Sequence, residues 1–184
     1  MIDPQPDLEL SFAEAERVLA TWLGGSPACS RVESLKGGLV NSVFGLEFDR
    51  PPFRAVVKIH GVGGDTFAEE ATALDHLAAE TSCPVPQVHL HDGSGSVIPH
   101  AFLLLENVAG ECLQGLALEP VERAAIDVEL AGVLSELLRH HGERWGRLGS
   151  SGGASSWSDV FAARLAEVRA ADGLEARLTP ETLA

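Results

Sequence analysis

The order of five short apolar runs between residues 31 and 105 constrains the fold most strongly. Three strand-like runs come first, a helical stretch follows, and two more strand-like runs complete the series. The predicted strands are 31–36, 42–49, 53–60, 87–91 and 100–105, and the predicted helix is 66–80. Because the first three runs are joined by connections too short for a crossover, they pair as an antiparallel meander. The order predicts an α+β fold in which one helix crosses a five-stranded antiparallel sheet.

Helical patterns flank this sheet on both sides. Residues 11–23 predict a helix because Ser11 and Glu14 form a capping-box pattern. Residues 120–141 predict a long helix with Pro120 near its first turn, and 157–171 predict another. One face of the long helix is apolar and carries Val121, Ala124, Ala125, Val128, Ala131, Leu134 and Leu138. The predicted domains are an N-terminal helix (1–30), a sheet lobe (31–108) and a helical region (109–184).

Charge and composition exclude several classes of partner. The 184-residue chain has a formal net charge of −14 and a pI of about 4.8, so its surface repels nucleic acids and anionic membranes. It has no signal-peptide pattern and no apolar run of membrane-spanning length. Its three cysteines are far apart, which is typical of free thiols in a reducing compartment. These features predict a cytoplasmic protein that binds neither nucleic acid nor membrane.

Lys58 is one of only two lysines in the chain and lies within an apolar β-branched run. An ammonium group there needs an anionic partner, and lysine suits phosphate oxygens. Glu70 is the charged residue on the otherwise apolar helical stripe that contains Phe67, Leu74 and Leu77. We therefore expect a Lys58–Glu70 pair between the third strand and the helix. The alternatives are a solvent-facing lysine on an edge strand and a solvated glutamate.

Two further segments offer backbone groups to a ligand. The apolar run at 103–105 leads into Glu106-Asn107, where an extended hinge would present the Glu106 carbonyl and the Val108 N–H to an adenine edge. The alternative is a plain strand end. The Gly37-Gly38 turn, followed by Asn41 and Ser42, would approach phosphates closely and add donors. The alternative there is an ordinary Gly-Gly hairpin.

The order of these features resembles the aminoglycoside phosphotransferase and fructosamine kinase group, which shares the protein-kinase-like fold. The resemblance covers roughly residues 31–171, and it rests on the ordered set rather than on any single motif. The matching pieces are Gly37-Gly38 with Asn41, Val57-Lys58, Glu70-Ala71 with Leu74 and Leu77, Val85-Pro86, and 104–110. It implies a protein-kinase-like N-lobe followed by the helical start of an incomplete C-lobe.

The resemblance also implies a role for each site residue. Lys58 would contact the α- and β-phosphates of ATP and would be held by Glu70. The backbones of Glu106 and Val108 would bind adenine. The residues expected to cover the phosphates are Gly38, Asn41 and Ser42. The complete family enzyme would use Mg²⁺ and a small metabolite that bears a hydroxyl or amine.

The family's catalytic loop, H-G-D-x-x-x-x-N, does not occur in this sequence. The chain has two asparagines, Asn41 and Asn107, and neither follows an aspartate by five residues. We therefore assign no catalytic and no metal-binding residue, and we expect the ATP-binding portion of a truncated small-molecule kinase. The alternatives are a non-catalytic half-kinase that binds nucleotide or a partner, and an α+β domain unrelated to kinases. The apolar face of 120–141 predicts marginal stability or self-association.

Overall fold

The computed structural model describes residues 8–35, 41–60, 67–146, 148 and 153–172. The chain divides into two compact units, residues 1–137 and 138–184. The helices are α1 (Phe12–Leu23), α2 (Phe67–Glu80), α3 (Pro120–Leu137) and α4 (Trp157–Asp172), with a short 3₁₀ turn at Leu113–Gly115. The strands are β1 (Cys29–Leu35), β2 (Asn41–Phe48), β3 (Arg54–His60), β4 (Val88–Asp92) and β5 (Phe102–Glu106).

The five strands form one sheet in the order β1-β2-β3-β5-β4, and every neighbouring pair is antiparallel. This confirms the predicted sheet and its meander. The last strand in the sequence therefore lies beside β3, and β4 is at the edge. The residues Asp92-Gly93-Ser94-Gly95 predict a turn between β4 and β5. The link spans 93–101, and Ile98 within it inserts into the core at 2% exposure.

One face of the sheet packs against α1 and forms the larger core. The alternation along β3 turns Ala55, Val57 and Ile59 toward this side, and each is 1% exposed or less. The helix contributes Ala15, Val18 and Leu19, which recur at helical spacing. Its N-terminus is closed by the predicted capping box, since the Glu14 N–H donates to the Ser11 hydroxyl and Glu14 accepts from the Ser11 N–H.

The opposite face of the sheet packs against α2 in a smaller core. Phe67 and Ala71 of the helix meet Leu103 and Leu105 of β5, and all four are buried. Lys58 alternates with the α1-facing residues of β3 and pairs with Leu103, so it lies on the α2 side. The sequence also pairs Thr66 with Glu69 in a capping-box pattern at the start of this helix, and Thr66 lies outside the described residues.

Helix α3 ends at Leu137, four residues before the predicted end, and has no buried residue. Val121 is 75% exposed and Val128 is 72% exposed, so the predicted apolar face lies open in the described structure. The helix is tied to the α2–β4 link because the Ser82 N–H donates to the Glu136 carboxylate at 2.7 Å.

In the second unit, the ring of Trp145 meets that of Trp157, at the start of α4, edge-on at 6.0 Å. Within the described residues, no helix has the length and hydropathy needed to cross a bilayer.

His89 of β4 stacks on Trp22 at the end of α1, with ring centroids 4.1 Å apart and planes inclined by 17°. Its Nε2 atom is buried, and no described residue forms a hydrogen bond with it. Burial lowers the pKa of His89 from its ordinary value of 6.5, and the neighbouring Glu106 carboxylate opposes that shift. The folded protein therefore favours the neutral imidazole.

This environment predicts a pH dependence of stability. Because the pKa of His89 is lower in the folded than in the unfolded chain, the stabilisation is present above about pH 6.5 and is lost as the pH falls through the folded value. Urea unfolding between pH 5 and 8 should show a steeper loss of free energy for the native chain than for His89→Phe. The phenylalanine preserves the stacking without titrating. Equal slopes for the two proteins would contradict this assignment.

Candidate functional site

A lysine–glutamate pair joins the sheet to α2. The Lys58 Nζ atom lies 2.5 Å from Glu70 Oε1, and the two side chains are 22% and 35% exposed. Lys58 comes from the central strand β3, and Glu70 comes from the first turn of α2. The ring of Phe67 lies close by, with its centroid 5.7 Å from the Lys58 nitrogen. The predicted contact between these two residues is therefore present, and their role in binding stays a prediction.

The three residues predicted to cover phosphates fall into different places. Asn41 begins β2 opposite His60, and its Oδ1 lies 2.8 Å from the His60 Nδ1, on the same side of the sheet as Lys58. Ser42 pairs with Ile59, which faces the α1 core, so its side chain is directed to the opposite side. Gly38 lies outside the described residues.

The predicted hinge follows directly from β5. The Glu106 N–H donates to the Gln87 carbonyl at 2.8 Å, whereas the Gln87 N–H donates to the Glu106 carboxylate at 3.1 Å. Val108 is 63% exposed. Within the described part of the chain its N–H donates to no other group. The segment thus presents an open backbone donor two residues beyond the end of the strand.

An open pocket of about 890 Å³ lies around this hinge. The residues that line it are Trp22, Glu33, Leu35, Pro52, Arg54, Gln87, His89, Glu106, Asn107, Val108, Ala109 and Gly110. Sequence reasoning identified Glu106 and Val108 but missed the strand residues Leu35 and Arg54. The two-residue alternation that leads from Lys58 back to Arg54 is the signal that would have found the latter.

The arrangement has two chemically distinct ends. Lys58 lies opposite Leu103, and Glu106 follows three residues later along β5, which corresponds to about 10 Å of strand. One end therefore offers a cation that a carboxylate orients, and the other offers backbone groups beside an apolar sheet face. A ligand that carries an anionic group at one end and a planar hydrogen-bonding edge at the other would match both.

Comparison with known proteins agrees with this geometry. A model of the phosphotransferase enzyme family matches residues 31–183. A solved structure from Ralstonia eutropha JMP134, provisionally described as an aminoglycoside phosphotransferase, superposes with a TM-score of 0.52 and is 28% identical. The match covers 70% of this chain and 38% of that protein, so this chain spans under half of its length. No curated protein matches the sequence.

The site and sheet define a protein-kinase-like N-lobe, with α2 as its crossing helix. The chain belongs to the phosphotransferase enzyme family. Both expectations drawn from the ordered motifs, the family and the fold class, are thereby confirmed.

The direct contact between the partly buried side chains of Lys58 and Glu70 predicts a measurable coupling. A double-mutant cycle with Lys58→Met and Glu70→Leu should give an interaction energy of about 0.5–3 kcal/mol in urea unfolding, because residues in direct contact are not additive. The Arg31–Glu33 pair is a control, since it spans 3.0 Å but its side chains are 56% and 53% exposed. Its coupling should lie at about 0–1 kcal/mol. Equal coupling in both cycles would contradict a special role for the partly buried Lys58–Glu70 pair.

Proposed function

We propose that this chain is the ATP-binding portion of a small-molecule phosphotransferase. The observation that carries the proposal is the Lys58–Glu70 contact on the sheet face that leads to the Glu106–Val108 hinge. In kinases, a lysine held by a glutamate of the crossing helix orients the nucleotide phosphates. Membership of the phosphotransferase family supports the same assignment.

The described residues fit ATP at both ends of the site. At the phosphate end, Glu70 keeps the Lys58 ammonium on the sheet face, and the Asn41 amide lies on the same side. At the base end, the Glu106 carbonyl and the Val108 N–H provide one acceptor and one donor for the edge of adenine. Ser42, and Gly38 outside the described residues, are the other two members of the proposed phosphate-binding set.

When bound, ATP with Mg²⁺ would supply the transferable phosphoryl group and neutralise its charge. Within the described residues, no group of three or more His, Cys, Asp or Glu side chains is arranged to hold a metal ion. The motif that carries the Mg²⁺ ligands in the family does not occur in this sequence. We therefore propose that the described site residues bind and orient the nucleotide, and we assign none of them to the transfer of the phosphoryl group.

The proposed acceptor is a small metabolite with a hydroxyl or amine group. A net charge of −14 favours a cationic acceptor, such as an amino sugar. We further propose a cytoplasmic location, a nucleotide-binding lobe at 31–108 and self-association through the open face of α3. The second candidate function is a non-catalytic half-kinase that binds nucleotide or a partner, since the described residues form a lysine–glutamate pair and a hinge but no group arranged to hold a metal ion.

Replacement of Lys58 tests nucleotide binding. In titration calorimetry with ATP, Lys58→Met should weaken binding by about ten- to a hundredfold, because a charge-assisted hydrogen bond contributes roughly 1.5–3 kcal/mol. Arg123→Met, a loss of charge on the exposed surface of α3, is the control and should bind as the native chain does. If the native chain binds no ATP, or if both variants bind alike, the proposal fails.

A transfer assay separates the two candidate functions. The 184-residue chain, incubated with ATP, Mg²⁺ and a panel of amino sugars, should bind ATP without forming ADP above the background rate. The physical reason is that this sequence contains no catalytic aspartate in the family's motif, and transfer depends on that group and on Mg²⁺. Phosphorylated acceptor that disappears in Lys58→Met would show that other residues supply the chemistry.

A further inference from the structure

The pairing of β5 with its two neighbours determines where the backbone of Glu106 points. The His60 N–H donates to the Ala101 carbonyl, and antiparallel partners alternate between bonded and non-bonded pairs. In the same register Ala55 lies opposite Glu106, five positions along from His60 and Ala101. Because bonded and non-bonded pairs alternate, Ala55 and Glu106 form a non-bonded pair. The N–H and carbonyl of Glu106 are therefore directed away from β3 and toward the start of β4.

On that side, Glu106 and Gln87 form only half of a normal bonded pair. The Glu106 N–H donates to the Gln87 carbonyl at 2.8 Å. The reciprocal bond would run from the Gln87 N–H to the Glu106 carbonyl. The Gln87 N–H instead donates to the Glu106 carboxylate, with 3.1 Å between the nitrogen and Oε2. Among the residues that the structure describes, this leaves the Glu106 carbonyl without a backbone donor.

The bond from the Gln87 N–H to the Glu106 carboxylate affects any ligand that binds at the hinge. A carbonyl that already accepts from a neighbouring strand is a weaker and partly shielded acceptor for a ligand. The Glu106 carboxylate accepts the Gln87 N–H that would otherwise donate to the Glu106 carbonyl. The carbonyl is thereby left open, on a residue that lines the pocket. The Glu106 side chain therefore affects the ligand site indirectly, by keeping the carbonyl of its own residue free.

We propose that the Glu106 carboxylate is a positioning group that reserves the Glu106 carbonyl for the exocyclic amino group of a purine. The inference rests on the proposed nucleotide site and adds a residue that sets base preference. An amino group at the 6-position can donate to this carbonyl. A base without that group would cover the carbonyl without pairing it, and an acceptor that loses water without gaining a donor lowers affinity.

A matched pair of ligands isolates the effect, because ATP and purine riboside triphosphate differ only in the 6-amino group. The native chain should bind ATP about tenfold or more tightly, which corresponds to the loss of one hydrogen bond. In Glu106→Leu the Gln87 N–H turns to the carbonyl, so most of this preference should disappear. Glu106→Gln keeps an acceptor for the Gln87 N–H and should preserve the preference.

A second substitution tests the competition directly. Gln87→Pro removes the competing N–H one residue before the edge strand β4 begins, at a strand boundary where proline is tolerated. In the Glu106→Leu background it should restore the preference for ATP, which a loss of packing would not do. If Glu106→Leu does not fold, as judged by circular dichroism, Glu106→Ala with and without Gln87→Pro provides the same comparison.

The outcomes distinguish this inference from the function on which it rests. If the native chain binds neither triphosphate, the proposed function fails and this inference fails with it. If the native chain prefers ATP and Glu106→Leu shows the same preference, the nucleotide site stands and the positioning role is overturned. Loss of the preference in Glu106→Leu, with recovery in the double variant, supports the role of the carboxylate.

Discussion

The partly buried ion pair between Lys58 and Glu70 is the interaction on which the rest of the lobe depends. A cation on the apolar face of a central strand is costly unless an anion reaches it, and α2 delivers that anion from its first turn. To do so the helix must pack on β4 and β5, beside β3, with Phe67 and Ala71 buried against the sheet. The same placement of α2 therefore packs the smaller core and brings the Glu70 carboxylate to Lys58.

The α1 side of the sheet carries most of the apolar core, while the α2 side carries the Lys58–Glu70 pair. Residues that alternate along β3 supply both, since Val57 and Ile59 enter the larger core and Lys58 between them faces α2. This division lets the sheet be stable without using the face on which the nucleotide is proposed to bind. It also explains why Ser42, although adjacent to Asn41, is directed to the other side.

Much of the fold followed from sequence because the strands show regular alternation and the capping box at Ser11 is local. The Lys58–Glu70 contact was also accessible, because a lone charge on an apolar stripe calls for a partner. The β4–β5 link and the wall of the pocket could not be predicted from the sequence in the same way. The insertion of Ile98 into the core and the side-chain bond from Gln87 to Glu106 depend on contacts distant in sequence, which no local pattern encodes. The end of α3 was overestimated because apolar spacing continues beyond Leu137.

The position of β5 within the sheet has a consequence for the order in which the lobe is built. Strands β1 to β3 can pair as soon as they leave the ribosome, whereas β4 has no neighbour until β5 fills the gap between it and β3. Closing that gap joins segments that are distant in the chain, which is slow in comparison with hairpin formation. The same strand ends in the hinge. Completion of the sheet and creation of the hinge where a base is proposed to bind are therefore a single late event, so a nascent chain that stops before residue 106 has neither.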